Sequence, residues 1–148
     1  MPKLYEGARV ECFNTGLYLG DIVKLDVKSM YPSIMIVFNL SPESTRVAKI
    51  KPYTGEYRFA GNVIEVPDKT LKKQIVVETG SEDSVSRSEL LRFMRLREEY
   101  KKRGNKSAQL AVKIVMNSLY GYNGLRFARY GSFVVAAVVT SIGRFIMR

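Results

Sequence analysis

The residues best suited to chemistry lie in the stretch KLDVKSMYPSI, residues 24–34. Alternating apolar residues at 23, 25 and 27 predict a strand that ends close to Asp26. A carboxylate at a strand end can bind Mg²⁺, which takes one or two carboxylates and fills its shell with other oxygens, here the Val27 carbonyl and phosphates. Tyr31 would then stand as a rigid wall beside the bound group. On spacing alone, a solvated aspartate followed by a core tyrosine explains the pattern better.

A second set of polar residues follows helical spacing. Lys113 and Asn117 are four residues apart and share one helix face, and Tyr120 lies a turn further on, where its ring can pack under a base. Arg97 and Lys101 repeat the same spacing in an earlier helix. If the two helices are antiparallel, these side chains converge as a cationic clamp for a triphosphate. For any one of them taken alone, a solvated helix face is the simpler explanation.

The elements that position these residues read as a mixture of strands and helices. Residues 8–28 are predicted to be extended, and a short helix after the turn at Ser29 is expected to end near Asn39. Between residues 42 and 86, prolines and glycines separate short apolar runs that predict small strands or hairpins, namely YRFAG, NVIEV and QIVVE.

Three helices are predicted in the second half, over Ser88–Lys102, Ser107–Tyr120 and Tyr130–Met147. The first two are joined by a short loop containing Gly104, which favours an antiparallel hairpin with Leu110 and Ile114 on its apolar side. The predicted fold class is therefore α+β.

Composition narrows the classes of function. The chain has 148 residues, 46% of them hydrophobic, with Cys12 as its only cysteine and no histidine, which excludes internal disulfides and histidine chemistry. No signal peptide is visible and the longest charge-free run near the C-terminus has 14 residues, so we expect an intracellular protein without a membrane partner. Residues 87–148 hold 13 Lys/Arg and 3 Asp/Glu, and so carry the whole net charge of +10. A basic half of this kind indicates a polyanionic partner.

Several motifs together resemble one family. DVKSMYPSI resembles motif A of the family-B DNA polymerases, D-x-x-S-L-Y-P-S-I, and KIVMNSLYG resembles their motif B, K-x-x-x-N-S-x-Y-G. YEGA at residues 5–8 is similar to the Y-x-G-G/A element, and REEYKKRGNK is similar to the first fingers helix. Their order and spacing also agree, with the weakest likeness over residues 45–86.

The resemblance implies a role for each candidate residue. Asp26 would be one of two aspartates that hold two Mg²⁺ ions for attack by a primer 3′-hydroxyl, with the Val27 carbonyl as a further ligand. Tyr31 would stack on the incoming sugar and exclude a 2′-hydroxyl. The other implied nucleotide contacts are Ser29, Met30 (a mild departure from leucine), Arg97, Lys101, Lys113 and Asn117. The implied contacts to the nascent base pair or template are Tyr120, Gly121, Tyr5 and Gly7.

The same resemblance divides the chain into parts. Residues 1–44 would be a palm segment with motif A, 45–86 a β-rich excursion, 87–122 the fingers hairpin with motif B, and 123–148 a palm helix leading toward motif C. Motif C, a Y-G-D-T-D-S-like hairpin with the second aspartate, does not occur in these 148 residues. The expected partners are primer-template DNA, deoxynucleoside triphosphates and a second polypeptide carrying motif C and the thumb. Alone, the chain is expected to be inactive.

Two further expectations come from the charge and the apolar C-terminal segment. A nucleic-acid-binding module without catalysis is the alternative function, and its DNA affinity would fall steeply with salt and show no nucleotide preference. The segment Phe133–Ile146 is expected to be left uncovered in the isolated chain and to drive self-association.

Overall fold

The structure, a computed structural model, describes residues 5–12, 14–125 and 127–148. Its described residues form four helices and a four-stranded antiparallel sheet, which confirms the α+β class. In chain order the elements are α1 (Met30–Val37), β1 (Thr45–Pro52), β2 (Arg58–Ala60), β3 (Val63–Asp68), β4 (Lys73–Thr79), α2 (Val85–Lys102), α3 (Lys106–Asn123) and α4 (Phe133–Ile146).

The sheet has the strand order β1-β4-β3-β2. The three expected short strands are present as β2, β3 and β4, and Gly61, with φ of 59°, provides the left-handed residue of the tight β2–β3 turn. Cross-strand pairs such as Ile64 with Val77 and Val66 with Ile75 bury one face of the central strands. This face is the side of the sheet that contributes to the core.

The core is built around α4. Every residue from Val135 to Arg144 is buried, because this helix lies against α1, α3 and β3. The Ser132 side chain begins the helix by accepting a hydrogen bond from the Val135 amide. The expectation that Phe133–Ile146 would be left uncovered is therefore wrong, since other parts of the same chain cover most of it. None of the helices in the described ranges is both long and apolar enough to cross a membrane.

Helices α2 and α3 form the expected hairpin. They are joined by three residues, of which Gly104 has φ of 69°, and they pack against each other. The Asn105 side chain caps α3 by accepting a hydrogen bond from the Ala108 amide. The apolar side of α3 is not the expected one, because Val112 and Met116 are buried there. Leu110 and Ile114 are exposed instead.

A polar anchor fixes α1 relative to α2. Asn39 follows α1 in a left-handed conformation and is buried. Its amide donates to the Gly80 and Glu82 carbonyls at 2.9 and 2.7 Å, and its side-chain oxygen accepts from the Ser84 amide at 3.0 Å. Since Ser84 is the N-cap of α2, these bonds set where α2 begins relative to α1.

The strands expected within residues 8–28 are absent from the described part of this segment. The described residues 8–12 and 14–27 lie in no strand, and their side chains are exposed; Phe13 is outside the described residues. A strand requires hydrogen bonds from a neighbouring strand. No neighbour is supplied by the described part of the chain, so the alternating pattern alone does not produce a strand.

Candidate active site

The turn between Asp26 and α1 is shaped by Ser29. This residue adopts the left-handed conformation, with φ of 51° and ψ of 47°, which typically costs about 1 kcal/mol for a residue other than glycine. Its carbonyl accepts the first bond of the helix, from the Ser33 amide at 2.9 Å, and the Ser33 hydroxyl donates to the Lys28 carbonyl at 3.3 Å. The turn brings Asp26 and Tyr31 to the wall of one cavity.

This cavity, of about 460 Å³, joins the turn to α4. Residues 25–27, Met30 and Tyr31 line one part of the wall, and the remainder comes from Ala8, Arg9 and the C-terminal residues from Gly143 onward. The Asp26 carboxylate makes no hydrogen bond or ion pair with any residue that the structure describes. It is exposed and therefore available to a ligand.

The tyrosines form a half-buried cluster, Tyr5, Tyr31 and Tyr120, hereafter the tyrosine cluster. The rings of Tyr31 and Tyr120 are 4.4 Å apart between centroids and inclined by 35°. Burial raises the pKa of the Tyr31 hydroxyl and, more strongly, that of Tyr120, whose pKa the nearby Tyr5 raises further. The Tyr5 ring also lies 6.4 Å from that of Phe133 on α4. The raised pKa values keep the hydroxyls of Tyr31 and Tyr120 protonated well above physiological pH.

The cationic residues are only partly brought together. The Arg97 guanidinium donates from Nη1 to the Ser29 hydroxyl at 2.9 Å, and Lys28 pairs with Glu98, which lowers the pKa of the Glu98 carboxyl. These two contacts hold α2 against the turn that follows Asp26.

The remaining candidates on the helical hairpin face solvent. Lys101, Lys113 and Asn117 are exposed, and Gly121 has open space where a side chain would stand. Among the described residues, no contact links Lys113 to Asp26. Arg97 is thus hydrogen-bonded to the turn, whereas Lys101, Lys113 and Asn117 extend into solvent.

Gly7 is positioned by residues that the sequence analysis did not select. Arg144 is buried, and its Nη1 donates to the carbonyls of Gly7 and Glu6 at 2.7 and 2.8 Å, while its Nη2 lies 3.3 Å from a Glu6 carboxylate oxygen. The Thr140 hydroxyl donates to the same Glu6 carbonyl at 2.8 Å. The signal in the sequence was Arg144 itself, the one charged residue of α4, because a charge in a buried helix requires partners.

Comparison with known proteins identifies the family of the chain. The model of DNA polymerase family B matches residues 1–148, which is the whole chain. The chain belongs to DNA polymerase family B. It is 32% identical over 147 residues to the DNA polymerase delta catalytic subunit of Arabidopsis thaliana, an alignment covering 95% of the chain and 13% of that protein. It is 33% identical over 160 residues to DNA polymerase 1 of Pyrococcus abyssi, with 97% of the chain and 18% of that protein covered.

A viral relative extends the similarity. The chain is 30% identical over 155 residues to the DNA polymerase catalytic subunit of varicella-zoster virus (strain Dumas), covering 95% of the chain and 12% of that protein. The family-B chain therefore spans well under a quarter of the length of these curated relatives.

The oxygen ligands in this family-B chain fit part of a Mg²⁺ site. The Asp26 carboxylate is unpaired among the described residues, and Val27, the next residue, lines the same cavity. No group of three or more histidine, cysteine or acidic residues able to hold a metal occurs in the described ranges. Because Mg²⁺ takes one or two carboxylates and obtains other oxygens from phosphates and water, the two groups suit a substrate-bound Mg²⁺ rather than a closed protein cage.

Proposed function

We propose that this chain is the nucleotide-binding part of a DNA-directed DNA polymerase, which adds deoxynucleotides to a primer by template-dependent transfer with two metal ions. The observation that carries the proposal is the 2.9 Å bond from Arg97 to the Ser29 hydroxyl. It puts a cation of α2 at the turn between the unpaired Asp26 and the N-terminus of α1. A carboxylate for Mg²⁺, a helix N-terminus and a guanidinium are the groups that a bound triphosphate requires.

In the proposed site, Asp26 and the Val27 carbonyl hold Mg²⁺. When bound, the metal neutralises phosphate charge and lowers the pKa of the attacking hydroxyl. Ser29 and Met30 lie at the start of α1, and their backbone amides can donate hydrogen bonds to phosphate oxygens. Arg97, with Lys101, Lys113 and Asn117, binds the triphosphate from the helical hairpin. The exposed hairpin side chains can turn toward this anion because they have few contacts to lose.

The remaining candidate residues recognise the sugar and the bases. Tyr31 stacks on the incoming sugar and leaves no room for a 2′-hydroxyl. Tyr120 and Gly121 lie beside the nascent base pair, with Gly121 allowing close approach because its surface is open. Tyr5 and Gly7 contact the template. The hydrogen bond from Arg144 to the Gly7 carbonyl supports this role, because it holds the backbone at Gly7 in one position.

We also propose that the four parts expected from the sequence act as palm (1–44), β-rich excursion (45–86), fingers (87–122) and palm helix (123–148). The second metal-binding aspartate is supplied by a motif C segment that these 148 residues do not contain. One absent carboxylate weakens metal binding and charge stabilisation, typically by orders of magnitude in rate. The 148-residue chain alone is accordingly expected not to extend primers at a useful rate.

The proposal is tested by nucleotide binding. The chain is titrated with a fluorescent deoxynucleoside triphosphate, with primer-template DNA, in the presence and absence of Mg²⁺. Asp26→Asn is expected to abolish the Mg²⁺-dependent part of the affinity, and Asp21→Asn, an exposed aspartate of the same segment, is the matched control. Lys113→Ala is expected to weaken binding on the order of tenfold, since it removes one charge-assisted contact, whereas Lys49→Ala should not. Equal affinities for Asp26→Asn and Asp21→Asn would contradict the proposed metal role.

The basic half of the chain favours one alternative, a nucleic-acid-binding module without catalysis. Residues 87–148 hold 13 Lys/Arg against 3 Asp/Glu, and Lys101 and Lys113 are exposed. In that case DNA binding falls steeply with salt but is unaffected by a matched deoxynucleotide. A matched deoxynucleotide that strengthens primer-template binding would favour the polymerase role, and primer extension by the isolated chain that depends on Asp26 would contradict the expected inactivity.

A further inference from the structure

Gly143 is an unexpected residue in the most buried helix of the chain. It lies near the end of α4 between Ile142 and Arg144, both buried. A glycine inside a helix costs roughly 1 kcal/mol relative to alanine. Its presence is explained by close contact with Tyr31, because a Cβ added at Gly143 would lie 3.1 Å from Cε1 of the Tyr31 ring and 3.4 Å from Cε of Met30.

The surroundings leave little freedom to relieve such a contact by moving α4. Arg144, the next residue, is bonded to the Gly7 carbonyl at 2.7 Å, and the Ser141 hydroxyl donates to the Pro67 carbonyl at 2.8 Å. The helix backbone is thus held on both sides of Gly143. A Cβ there would be in ordinary contact with Met30 but too close to the Tyr31 ring, so the ring would have to move by a few tenths of an ångström.

The Tyr31 ring also contacts Tyr120, at 4.4 Å between centroids. Its position is therefore set jointly by the bare backbone of α4 and by the Tyr120 ring of α3. The same ring forms part of the wall of the cavity that contains Asp26. A displacement of a few tenths of an ångström changes the space beside that wall.

We propose that Gly143 is a specificity-determining position, a residue that acts through Tyr31 by allowing its ring to sit against the backbone of α4. This inference rests on the proposed function, in which Tyr31 is the wall that separates deoxyribose from ribose. Larger side chains at position 143 move the wall off its position and lower the discrimination between the two sugars, while the phosphate contacts of the helical hairpin are unchanged.

The test compares the affinities for dATP and ATP in the presence of Mg²⁺ and a primer-template with thymine in the templating position. The variants are Gly143→Ala and Gly143→Val, and the readout is the ratio of the two dissociation constants. The ratio is expected to fall in that order, on the order of tenfold for the larger change, the range that one misplaced methyl group typically produces in a pocket. Val135→Ala is the matched control, because it shortens a buried side chain of the same helix about two turns before Gly143.

A second readout needs no nucleotide. With fluorotyrosine labels, the ¹⁹F signal of Tyr31, assigned through Tyr31→Phe, is expected to shift in Gly143→Ala and to stay in place in Val135→Ala. If Gly143→Val does not fold, Gly143→Ala tests the inference through both the ratio of dissociation constants and the ¹⁹F signal of Tyr31. A sugar ratio that stays at the wild-type value in a folded Gly143→Ala chain whose Tyr31 signal has moved would overturn the inference and leave the proposed function standing. A wild-type chain that binds dATP and ATP equally would instead overturn the proposed role of Tyr31.

Discussion

Helix α4 and the extended segment 14–27 are both rich in apolar residues, but the helix is buried and the segment is exposed to solvent. Ile142 in α4 is 1% exposed, whereas Ile22 in the segment is 78% exposed. The difference is in the backbone. A helix forms its own hydrogen bonds and can be packed as a unit, but an extended segment needs a neighbouring strand to satisfy its amides and carbonyls.

This difference divides the candidate site into two halves. One half is held by α4: the buried Arg144 bonds the Gly7 carbonyl, and the Tyr31 ring lies close to Gly143. The other half depends on Asp26, whose segment is fixed by the described chain only where it meets α1. Tyr31, the proposed sugar wall, is therefore held in place before any ligand binds, whereas Asp26, the proposed metal ligand, lies on the less constrained half.

The largest contrast is expected between Arg144 and Asp26. Arg144→Ala removes the ion-pair partner of the Glu6 carboxylate, the donor to the Gly7 carbonyl and one of two donors to each of the Glu6 and Pro67 carbonyls. The free energy of unfolding should therefore fall by about 4 kcal/mol. Asp26→Asn should change it by less than about 0.5 kcal/mol, because the carboxylate is exposed. Urea denaturation followed by circular dichroism measures both. Comparable losses for the two variants would show that the Asp26 segment is packed in solution.

A matched isoleucine pair sharpens the same contrast. Ile142→Ala removes a fully buried side chain and is expected to reduce the free energy of unfolding by about 3 kcal/mol, from lost burial and the cavity left behind. Ile22→Ala makes the same chemical change in an exposed side chain and should have an effect within about 0.5 kcal/mol. The same denaturation experiment applies. If Ile22→Ala is as destabilising as Ile142→Ala, the segment buries its apolar residues against something, such as a second copy of the chain.

The sequence predicted well the elements whose signals are local. The α2–α3 hairpin was predictable because its helical periodicity and the break at Gly104 lie within the hairpin itself. Helix α4 was predictable from its length, although its valines also suited a strand. The tight turn at Gly61 likewise marked the β2–β3 pair.

What failed depended on distant partners. The strand near Asp26 needed a neighbour that the described residues do not provide, and the burial of α4 needed the sheet and α1 to fold over it. The roles of Arg144 and Thr140 depend on Glu6, well over a hundred residues away in sequence. Helix α3 carries several apolar residues, and its packing against α1, α2 and α4 decides that Met116 is buried and Ile114 exposed.

The smallest expected effect is on the melting temperature at alkaline pH, where Tyr120 in the half-buried tyrosine cluster is compared with Tyr18 in the exposed segment. The ordinary pKa of tyrosine is 10.0, and burial raises that of Tyr120 in the folded chain. Above about pH 10 the unfolded chain loses this proton while the folded chain keeps it, so the stabilisation present below pH 10 is lost as the pH rises. Tyr120→Phe removes the ionisable hydroxyl and should flatten the fall in melting temperature between pH 9 and 11. Tyr18→Phe, in the exposed segment, should leave that fall unchanged. An identical alkaline slope for Tyr120→Phe and wild type would mean that the Tyr120 hydroxyl is hydrated in the folded chain, and that the tyrosine cluster is as open to water as the segment.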